Sequence, residues 1–354
     1  MTFVVACGGT GGHVFPGLAV ARELKRRGHR VEVWFSGRDI EASALAKWDG
    51  DVFATGARQL SLRTVPKIAG AFFRCMGAVK RLRPDAVLAM GSYSSLPPVL
   101  AASLHHVPVV LHEANAVPGK AVDTLSRVSA LTATSFEETA RWLPDRKVSC
   151  TGLPVRADLA EQPRFPEIPM GHFTVFVTGG SQGARRVNEL VSQAMCLLRQ
   201  ADVKDFFVIH QSGVADEARV RTTYAAAGVP ARVSAFIQEM GSAYASADLV
   251  ICRAGASTCF ELCLLGKPAL LIPLPTAVRN HQHLNAAALA RGGGADEGIQ
   301  RELTARSIMR YVLNKKSHPE TLAQMRRALL AMAVPDAASR VADEVERVAR
   351  PCAR

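Results

Sequence analysis

Two glycine-rich turns carry the residue types that hold phosphorylated ligands. The first, residues 8–13, reads Gly-Gly-Thr-Gly-Gly-His and follows the apolar run Phe3 to Ala6. Glycines let the backbone take positive φ angles and approach a ligand closely, and a helix N-terminus favours anions. The spacing fits neither a dinucleotide fingerprint, because Val14 stands where the third glycine is needed, nor a Walker A loop. We therefore expect a phosphate-binding turn of another kind; the alternative is a turn that serves tight packing only.

His13 lies where this first turn meets the following helix. A helix N-terminus disfavours the charged imidazolium, so the ring should stay neutral and able to accept a proton. Two roles fit this position: a general base, or a side chain that only hydrogen-bonds the ligand.

The second turn, residues 179–183, reads Gly-Gly-Ser-Gln-Gly and offers Ser181 and Gln182 as polar contacts. Downstream, residues 253–261 follow a strand and open a helix, which makes another anion-facing terminus. Glu261, one turn inside that helix, has the chemistry to accept hydrogen bonds from a ribose diol; otherwise it is a surface or capping carboxylate. Arg156 supplies a cation at the end of the first half of the chain.

Metal chemistry is weakly indicated. Asp49 and Asp51 have the spacing that metal-dependent sugar transferases use, but they lie between a helix and a strand, where a turn is expected. His281 and His283 have no cysteine or carboxylate close by in sequence, and neither does the pair His105-His106. The eight cysteines are scattered without a Cys-x-x-Cys pair, which indicates reduced thiols and a cytoplasmic protein.

Strand and helix patterns alternate along the chain, which predicts parallel sheets with helices on both faces. The pattern lapses at the proline-rich residues 157–172, which we interpret as a linker, and then restarts. We thus expect two Rossmann-like halves, at residues 1–157 and 170–334, with a last helix at about 335–354 that packs back on the first half. Ligands of such sheets bind at the carboxyl ends of strands, and all the segments above follow strands.

The chain has 43 basic and 31 acidic residues, for a formal net charge of +12. Residues 58–83 hold seven cations, no acidic residue and several interleaved apolar side chains. This segment is either a solvated helix face or a basic, partly apolar surface that lies on a membrane. Nucleic acid is disfavoured, because aromatic residues are few and no binding motif is present. No apolar run reaches the roughly 18 residues of a membrane span.

Taken in order along almost the whole chain, these segments resemble the MurG family of UDP-N-acetylglucosamine transferases, which act on undecaprenyl-pyrophosphoryl-N-acetylmuramoyl pentapeptide. The matching motifs are residues 8–13, His112-Glu113-x-Asn115, Gly152-x-Pro-Val-Arg156, residues 179–184, Arg253 to Glu261, and Gln282. The resemblance implies a GT-B fold, an α/β class in which two Rossmann-like domains with parallel sheets face each other across a cleft. The first domain would bind the acceptor and the membrane surface, and the second domain would bind most of the UDP-sugar.

The resemblance also implies roles for residues at matching positions. His13 matches the candidate general base. The donor contacts would be Thr10, Gly11, Gly12, Asn115, Arg156, Ser181, Gln182, Ile237, Ala256, Ser257, Thr258, Cys259, Phe260, Glu261 and Gln282. Weaker matches suggest acceptor contacts at Gly9, Tyr93, His112 and Glu113. On this view the first turn serves the acceptor and the chemistry, whereas the second steadies the departing UDP.

The implied activity is an inverting transfer of N-acetylglucosamine to lipid I, giving lipid II, in peptidoglycan synthesis, cell-wall biogenesis, cell shape and cell division. The partners would be UDP-N-acetylglucosamine, lipid I and the anionic membrane surface. Other cell-wall synthesis proteins are compatible with this scheme as further partners, and nucleic acid is not expected. The location would be peripheral, at the cytoplasmic face of the bacterial inner membrane. No cofactor and no metal site is expected, although stimulation by a divalent cation is compatible with the scheme.

Ser92, Ala114 and Leu153 depart from the family pattern, and residues 276–279 lack the acidic residues common there. Two rival functions remain open. A UDP-N-acetylglucosamine epimerase shares such a fold but needs no lipid acceptor. A non-catalytic basic membrane adaptor would not bind the donor.

Overall fold

The structure, a computed structural model, describes residues 1–9, 11–37, 41, 45, 48–58, 64–156 and 159–349. The chain divides into two compact units. Unit 1 consists of Met1–Arg156 and Val334–Arg354, and unit 2 consists of Ala157–Ala333.

Unit 1 is built on a parallel sheet that, within the described residues, has seven strands in the order β3-β2-β1-β4-β5-β6-β7. The strands are β1 (Thr2–Ala6), β2 (Arg30–Phe35), β3 (Asp51–Ala54), β4 (Ala86–Ala89), β5 (Val109–Glu113), β6 (Leu131–Thr134) and β7 (Val148–Cys150). The chain runs outward from β1 to β3 and then returns to β4 on the other side of β1. The carboxyl ends of β1 and β4 therefore lie where the strand order reverses, which is where open α/β sheets bind ligands.

Helices cover both faces of this sheet. They are α1 (Gly11–Arg26), α2 (Val65–Leu82), α3 (Leu96–Leu104) and α4 (Lys120–Leu125), with 3-10 turns at Tyr93–Ser95 and Glu137–Trp142. Successive side chains of β1 point to opposite faces of the sheet and so belong to two cores. Phe3 and Val5 pack with α1, and Val4 and Ala6 pack on the side of α2.

Helix α1 begins earlier than the sequence predicts. Because proline favours the first turn of a helix, the sequence predicts a helix from Pro16 to Arg27, but the helix starts at Gly11 and Pro16 lies inside it. The N-terminus of α1 consequently belongs to the first glycine turn. Gly17 lets the helix approach β1 closely, because a Cβ there would lie 2.4 Å from the Cβ of Cys7.

Unit 2 repeats the plan with six parallel strands, within the described residues, in the order β10-β9-β8-β11-β12-β13. The strands are β8 (Phe173–Thr178), β9 (Phe206–Gln211), β10 (Ala231–Ser234), β11 (Leu249–Cys252), β12 (Ala269–Leu271) and β13 (Ala295–Glu297). The helices are α5 (Arg185–Gln200), α6 (Glu217–Ala227), α7 (Met240–Ser246), α8 (Ala256–Leu265), α9 (His281–Arg291), α10 (Ala305–Ser317) and α11 (Pro319–Ala331), with a 3-10 turn at Val278–Asn280. Here the strand order reverses between β8 and β11. The predicted class, two Rossmann-like halves with parallel sheets, is confirmed.

The segment that we interpreted as a linker packs on unit 2 where the structure describes it. Leu159, Phe165 and Ile168 are buried. The backbone N–H of Phe165 donates to Ser246 Oγ at 2.9 Å, and the Arg232 guanidinium lies 4.0 Å from the centre of the Phe165 ring. Unit 2 therefore begins before residue 170, the boundary drawn from proline content.

The last helix, α12 (Ala337–Val348), returns to unit 1. Its Val341, Ala342 and Val345 are buried in the core that contains α1. Arg27 of α1 donates to Asp343 at 2.6 Å, which adds an ion pair at the edge of this contact. Among the described residues, none of the helices is both long and apolar enough to cross a membrane.

Candidate functional site

The first glycine turn joins β1 to α1 at the point where the strand order of unit 1 reverses. A Cβ on Gly8 would lie 2.7 Å from the backbone nitrogen of Ser36, and one on Gly9 would lie 2.9 Å from Ser92 Oγ. Gly9 also takes a φ of +116°, which side chains rarely adopt. Glycine is thus needed at both positions. Thr10, predicted to contact the donor, lies outside the described residues.

A buried carboxylate outside the predicted site residues holds this turn. Glu41 is fully buried and accepts the backbone N–H of Gly9 at 2.6 Å. The same carboxylate accepts the Ser36 hydroxyl and the Gly37 N–H, so it ties the turn to the end of β2. The N–H of Gly9 is therefore committed to Glu41 and is not available to a ligand. No short motif marks Glu41, because its partner is 32 residues away.

His13 lies in the first turn of α1 and is partly exposed. Although the residue is partly exposed, the protein around its imidazole desolvates the ring and lowers its pKa to about 4, which leaves the ring neutral at pH 7. Its ring is next to Gly91 after β4, because a Cβ on Gly91 would lie 3.7 Å from His13 Cδ2. A neutral ring can accept a proton or a hydrogen bond, so both predicted roles remain chemically sound.

His112 and Glu113 end β5 and serve the protein's own backbone. His112 is fully buried, its Nε2 pairs with the carbonyl of Gly152 at 3.1 Å, and burial lowers its pKa to about 4. Its Nδ1 has no hydrogen-bond partner among the described residues. The Glu113 carboxylate accepts the N–H groups of Asn115 and Gly119, each at 2.9 Å, and the Asn115 side-chain amide at 3.1 Å. Burial raises the pKa of Glu113. Their predicted contact with the acceptor stays a prediction, but Glu113 clearly positions Asn115.

Arg156 is held beside the first turn. Its guanidinium lies 5.0 Å from the centre of the Phe15 ring, in a cation–π contact. Phe15 belongs to α1, two residues after His13, so the cation lies near the N-terminus of that helix. Tyr93 stands in the 3-10 turn after β4 and is 37% exposed. His13, Arg156 and Tyr93 therefore belong to segments at one edge of the unit 1 sheet.

The second glycine turn joins β8 to α5 at the corresponding point of unit 2. Ser181 and Gln182 are exposed at its tip. The turn presses on the segment after β9: a Cβ on Gly183 would lie 2.0 Å from the carbonyl oxygen of Ser212. Gly180, in contrast, faces open space at a φ of +87°. The turn thus combines a tightly packed base with an accessible tip.

Gln211, at the end of β9, connects this turn to the segment that carries Ile237. Its side-chain amide donates to the Gly180 carbonyl at 3.0 Å and to Thr178 Oγ1 at 3.1 Å. Its Oε1 accepts the N–H of Ile237 at 2.9 Å. Ile237 itself is 2% exposed, so only a small part of it can meet a ligand. Gln211 is not among the residues that the sequence motifs predict; its one signal in the sequence is a polar residue at the end of an apolar strand.

Helix α8 opens at Ala256, directly after β11 and Gly255. Of its six predicted donor contacts, Ala256, Cys259 and Phe260 are buried. Ser257, Thr258 and Glu261 are partly exposed and share one helix face by their three- and four-residue spacing. This face is the part of the stretch that a donor can reach with side-chain contacts.

Gln282 in α9 braces the loop after β12. Its Oε1 accepts the N–H of Leu274 at 2.8 Å. Arg253 supports the same loop, since it donates to the carbonyls of Ile272 and Pro273, each at 3.0 Å. Gln282 and Arg253 therefore shape the edge of the unit 2 sheet.

The described residues contain no group of three or more His, Cys, Asp or Glu side chains that could hold a metal ion. Asp49 pairs with Lys25 at 2.8 Å, and Asp51 pairs with Arg30 at 3.2 Å. Both carboxylates are thus engaged in surface ion pairs.

Family models match both units. The glycosyltransferase family 28 N-terminal domain matches residues 3–134, and the family 28 C-terminal domain matches residues 174–341. A protein of Cupriavidus pinatubonensis (strain JMP 134 / LMG 1197) is 40% identical over 361 residues, which cover 99% of this chain and 98% of the relative. That relative is named UDP-N-acetylglucosamine--N-acetylmuramyl-(pentapeptide) pyrophosphoryl-undecaprenol N-acetylglucosamine transferase. The chain belongs to glycosyltransferase family 28.

Solved structures agree with this family 28 assignment. The crystal structure of Acinetobacter baumannii MurG superposes with a TM-score of 0.77 at 32% identity and covers 98% of this chain and 99% of its own. A UDP-GlcNAc 2-epimerase from Neisseria meningitidis, bound to UDP-GlcNAc, reaches a TM-score of 0.73 at only 14% identity, over 98% of this chain and all of its own. The second likeness concerns the fold alone. The resemblance drawn from the motifs is confirmed, and so is the assignment as a glycosyltransferase.

Proposed function

We propose that this family 28 protein transfers N-acetylglucosamine from UDP-N-acetylglucosamine to the 4-hydroxyl of undecaprenyl-pyrophosphoryl-N-acetylmuramoyl pentapeptide, converting lipid I to lipid II. The observation that carries the proposal is the full-length relative that bears this activity in its name at 40% identity. The strand-end positions of the glycine turns, Arg156 and the α8 N-terminus support it, because the chemistry requires sites for two diphosphates.

In this reaction the acceptor hydroxyl attacks the anomeric carbon of the sugar while UDP leaves from the opposite face. The configuration at that carbon is therefore inverted. We assign the hydroxyl proton to His13, which is neutral at pH 7 because burial lowers its pKa to about 4. General-base assistance of this kind typically contributes about 10²- to 10⁴-fold in rate.

Charge that grows on the departing diphosphate needs compensation. In unit 2 the N-termini of α5 and α8 supply backbone N–H groups and positive potential, which stabilise anions. In unit 1 Arg156 supplies a full positive charge. We propose that these groups make a permanently bound metal unnecessary, and that the purified protein keeps its activity in a chelator.

We assign the donor mainly to unit 2, with Arg156 of unit 1 at its diphosphate, and the acceptor to unit 1. Donor contacts come from the exposed tip of the second turn, at Ser181 and Gln182, and from the open face of α8. Glu261 on that face accepts hydrogen bonds from the ribose diol. The acceptor diphosphate lies at the first turn, next to His13.

We also propose that unit 1 lies on an anionic membrane. One face of α2 carries exposed residues at alternating four- and three-residue steps: Pro66, Gly70, Phe73, Gly77 and Lys80. The Phe73 side chain is 70% exposed, and Leu104 on the neighbouring α3 is 62% exposed. Exposed apolar side chains among cations suit the interface of an anionic bilayer.

Charge reversal tests this surface. The triple variant Arg58→Glu, Lys67→Glu, Lys80→Glu should no longer sediment with vesicles of anionic lipid. Each cation near the membrane surface adds about 1 kcal/mol of attraction, which the variant loses. A control triple in unit 2, at the exposed Lys204, Arg301 and Arg306, changes the net charge equally and should stay bound. Equal release by both triples would show that only net charge matters.

The function itself is tested by turnover of labelled UDP-N-acetylglucosamine with and without a short-chain lipid acceptor. We expect UDP release and label on the lipid only when the acceptor is present. An epimerase would convert the sugar nucleotide without lipid, and a non-catalytic adaptor would do neither.

A further inference from the structure

A buried tyrosine in unit 2 is bonded to the carboxylate that we assign to the ribose. Tyr244 lies in α7 and is 1% exposed. Its hydroxyl donates a hydrogen bond to Glu261 Oε2 at 2.8 Å. Neither the motifs nor the family resemblance point to Tyr244, because it lies 17 residues before its partner in a helix that carries no recognisable signature.

The position of the tyrosine hydroxyl is rigidly determined. The ring packs edge-on against Phe176 of β8, with centroids 5.3 Å apart and an interplanar angle of 87°. Phe176 is fully buried in the strand that leads into the second glycine turn. Burial, followed by the nearby Glu261 carboxylate, raises the pKa of Tyr244 well above its ordinary value. The hydroxyl therefore remains a donor across the physiological pH range.

A glutamate on a helix surface otherwise samples several rotamers, and holding it in one costs conformational entropy. The bond from Tyr244 fixes one carboxylate oxygen of Glu261 before any ligand arrives. An ionised carboxylate has about four acceptor positions, so the bond from Tyr244 is compatible with hydrogen bonds from ribose hydroxyls. Preorganisation of this kind strengthens binding by lowering its entropic cost.

We propose that Tyr244 is a positioning residue for the ribose of the nucleoside-diphosphate sugar, acting through Glu261. The inference rests on the proposed function, in which Glu261 accepts hydrogen bonds from the ribose diol. The protein then selects its donor partly through the ribose cis-diol. This selection depends on the Tyr244 hydroxyl, which does not itself contact the ligand.

The test compares UDP with 2′,3′-dideoxy-UDP, which lacks both ribose hydroxyls, by titration calorimetry. The unmodified protein should bind UDP about 10- to 100-fold more tightly than the dideoxy analogue, since hydrogen bonds to charged groups are the strong ones. In Tyr244→Phe the UDP affinity should fall about 10-fold while the affinity for the analogue stays constant. In turnover the same variant should raise the donor KM and leave kcat within about twofold.

Tyr224→Phe is a matched control. Tyr224 is 2% exposed in the same unit, and its hydroxyl pairs with His210 Nδ1 at 2.9 Å. Loss of this hydroxyl should lower the unfolding midpoint about as much as Tyr244→Phe does but leave the preference for UDP over the analogue unchanged. A further variant, Glu261→Ala, changes a partly exposed residue and should abolish the preference by itself. Adding Tyr244→Phe to it should then weaken UDP binding no further.

The outcomes separate the inference from the function on which it rests. If Tyr244→Phe weakens UDP and the analogue equally, or if its effect adds fully to that of Glu261→Ala, Tyr244 has only a structural role and the inference is wrong. If the unmodified protein does not distinguish UDP from the analogue, both the inference and the assignment of Glu261 to the ribose are wrong. Loss of lipid-dependent turnover in the unmodified protein would instead contradict the proposed function.

Discussion

Two glycines of the second turn give a sharp test of how that turn is built. Gly180 and Gly183 both have left-handed backbones, with φ of +87° and +75°. An alanine Cβ at Gly180 would meet nothing within 4 Å, whereas one at Gly183 would lie 2.0 Å from the Ser212 carbonyl oxygen. The substitutions Gly180→Ala and Gly183→Ala therefore share the backbone strain and differ in the clash.

The expected magnitudes follow from this difference. The left-handed conformation costs an alanine about 1–2 kcal/mol. At Gly183 the backbone must also move, which adds about 1–3 kcal/mol of overpacking. The Ser212 carbonyl accepts the side-chain amide of the buried Asn188 at 2.8 Å, and loss of that bond adds about 1–3 kcal/mol. Gly183→Ala should thus destabilise unit 2 by about 5 kcal/mol, against about 1.5 kcal/mol for Gly180→Ala.

Thermal unfolding followed by circular dichroism measures both variants. At about 2–4 °C per kcal/mol for a unit of this size, we expect midpoint losses of about 15 °C for Gly183→Ala and about 5 °C for Gly180→Ala. Titration calorimetry measures UDP binding by the same variants. The methyl group of Gly180→Ala would stand in the open space at the tip of the turn and should weaken UDP binding about tenfold or more. Equal midpoint losses for the two variants would refute the packing argument, and unchanged UDP binding by Gly180→Ala would refute the assignment of the tip to the donor.

Three further predictions concern the proposed general base His13, the pH dependence of stability and a strained serine. His13→Ala should lower kcat by about 10²- to 10⁴-fold with an unchanged unfolding midpoint, and near-normal turnover by the variant would remove His13 as the base. In the unmodified enzyme the acid limb of the pH–rate profile should lie below the ordinary histidine pKa of 6.5, because burial lowers the pKa of His13 to about 4. His112 and His210 are fully buried, and burial lowers their pKa values to about 4 and about 3. Below pH 6.5 the unfolded chain protonates these two rings while the folded protein keeps them neutral. The free energy of unfolding should therefore be highest above pH 6.5 and fall by about 1.4 kcal/mol per pH unit for each ring as the pH drops toward 4. A urea unfolding midpoint that is constant from pH 7 to pH 5 would contradict this. Ser92 has a φ of 69° and a ψ of 162°, a region that is essentially restricted to glycine, so Ser92→Gly should raise the unfolding midpoint by the equivalent of about 1–3 kcal/mol; a lower midpoint would show that the serine makes compensating contacts.

The general architecture could be read from the sequence because it depends on local patterns. Apolar runs followed by glycines, together with helical periodicity, predicted β1, β8 and β11 and the positions of both glycine-rich turns. The predicted start of α1 is too late, because proline favours the first turn of a helix whereas Pro16 lies inside α1. The proline content of residues 157–172 suggested a linker, but burial of Phe165 depends on tertiary contacts that composition does not reveal.

The residues that the sequence did not reveal are held by partners far along the chain. Glu41 bonds to Gly9, Tyr244 to Glu261, and Gln211 to Ile237, over separations of 32, 17 and 26 residues. None of these pairs has a periodic spacing or a motif, and the topology of the sheets alone brings them together. The division of α8 into a buried and an open face was, in contrast, available from helical periodicity, which marks Ser257, Thr258 and Glu261 as the more accessible side chains of this stretch.

The configuration of the new glycosidic bond tests the central claim most directly. We would incubate the protein with UDP-N-acetylglucosamine and a short-chain lipid acceptor, and determine the product's anomeric configuration and linkage by NMR. Direct attack by the acceptor 4-hydroxyl, with UDP leaving from the opposite face, predicts a β-linked N-acetylglucosamine on that hydroxyl and one UDP released per disaccharide. An α-linked product, free N-acetylglucosamine, or an epimerised sugar nucleotide formed without acceptor would contradict the account.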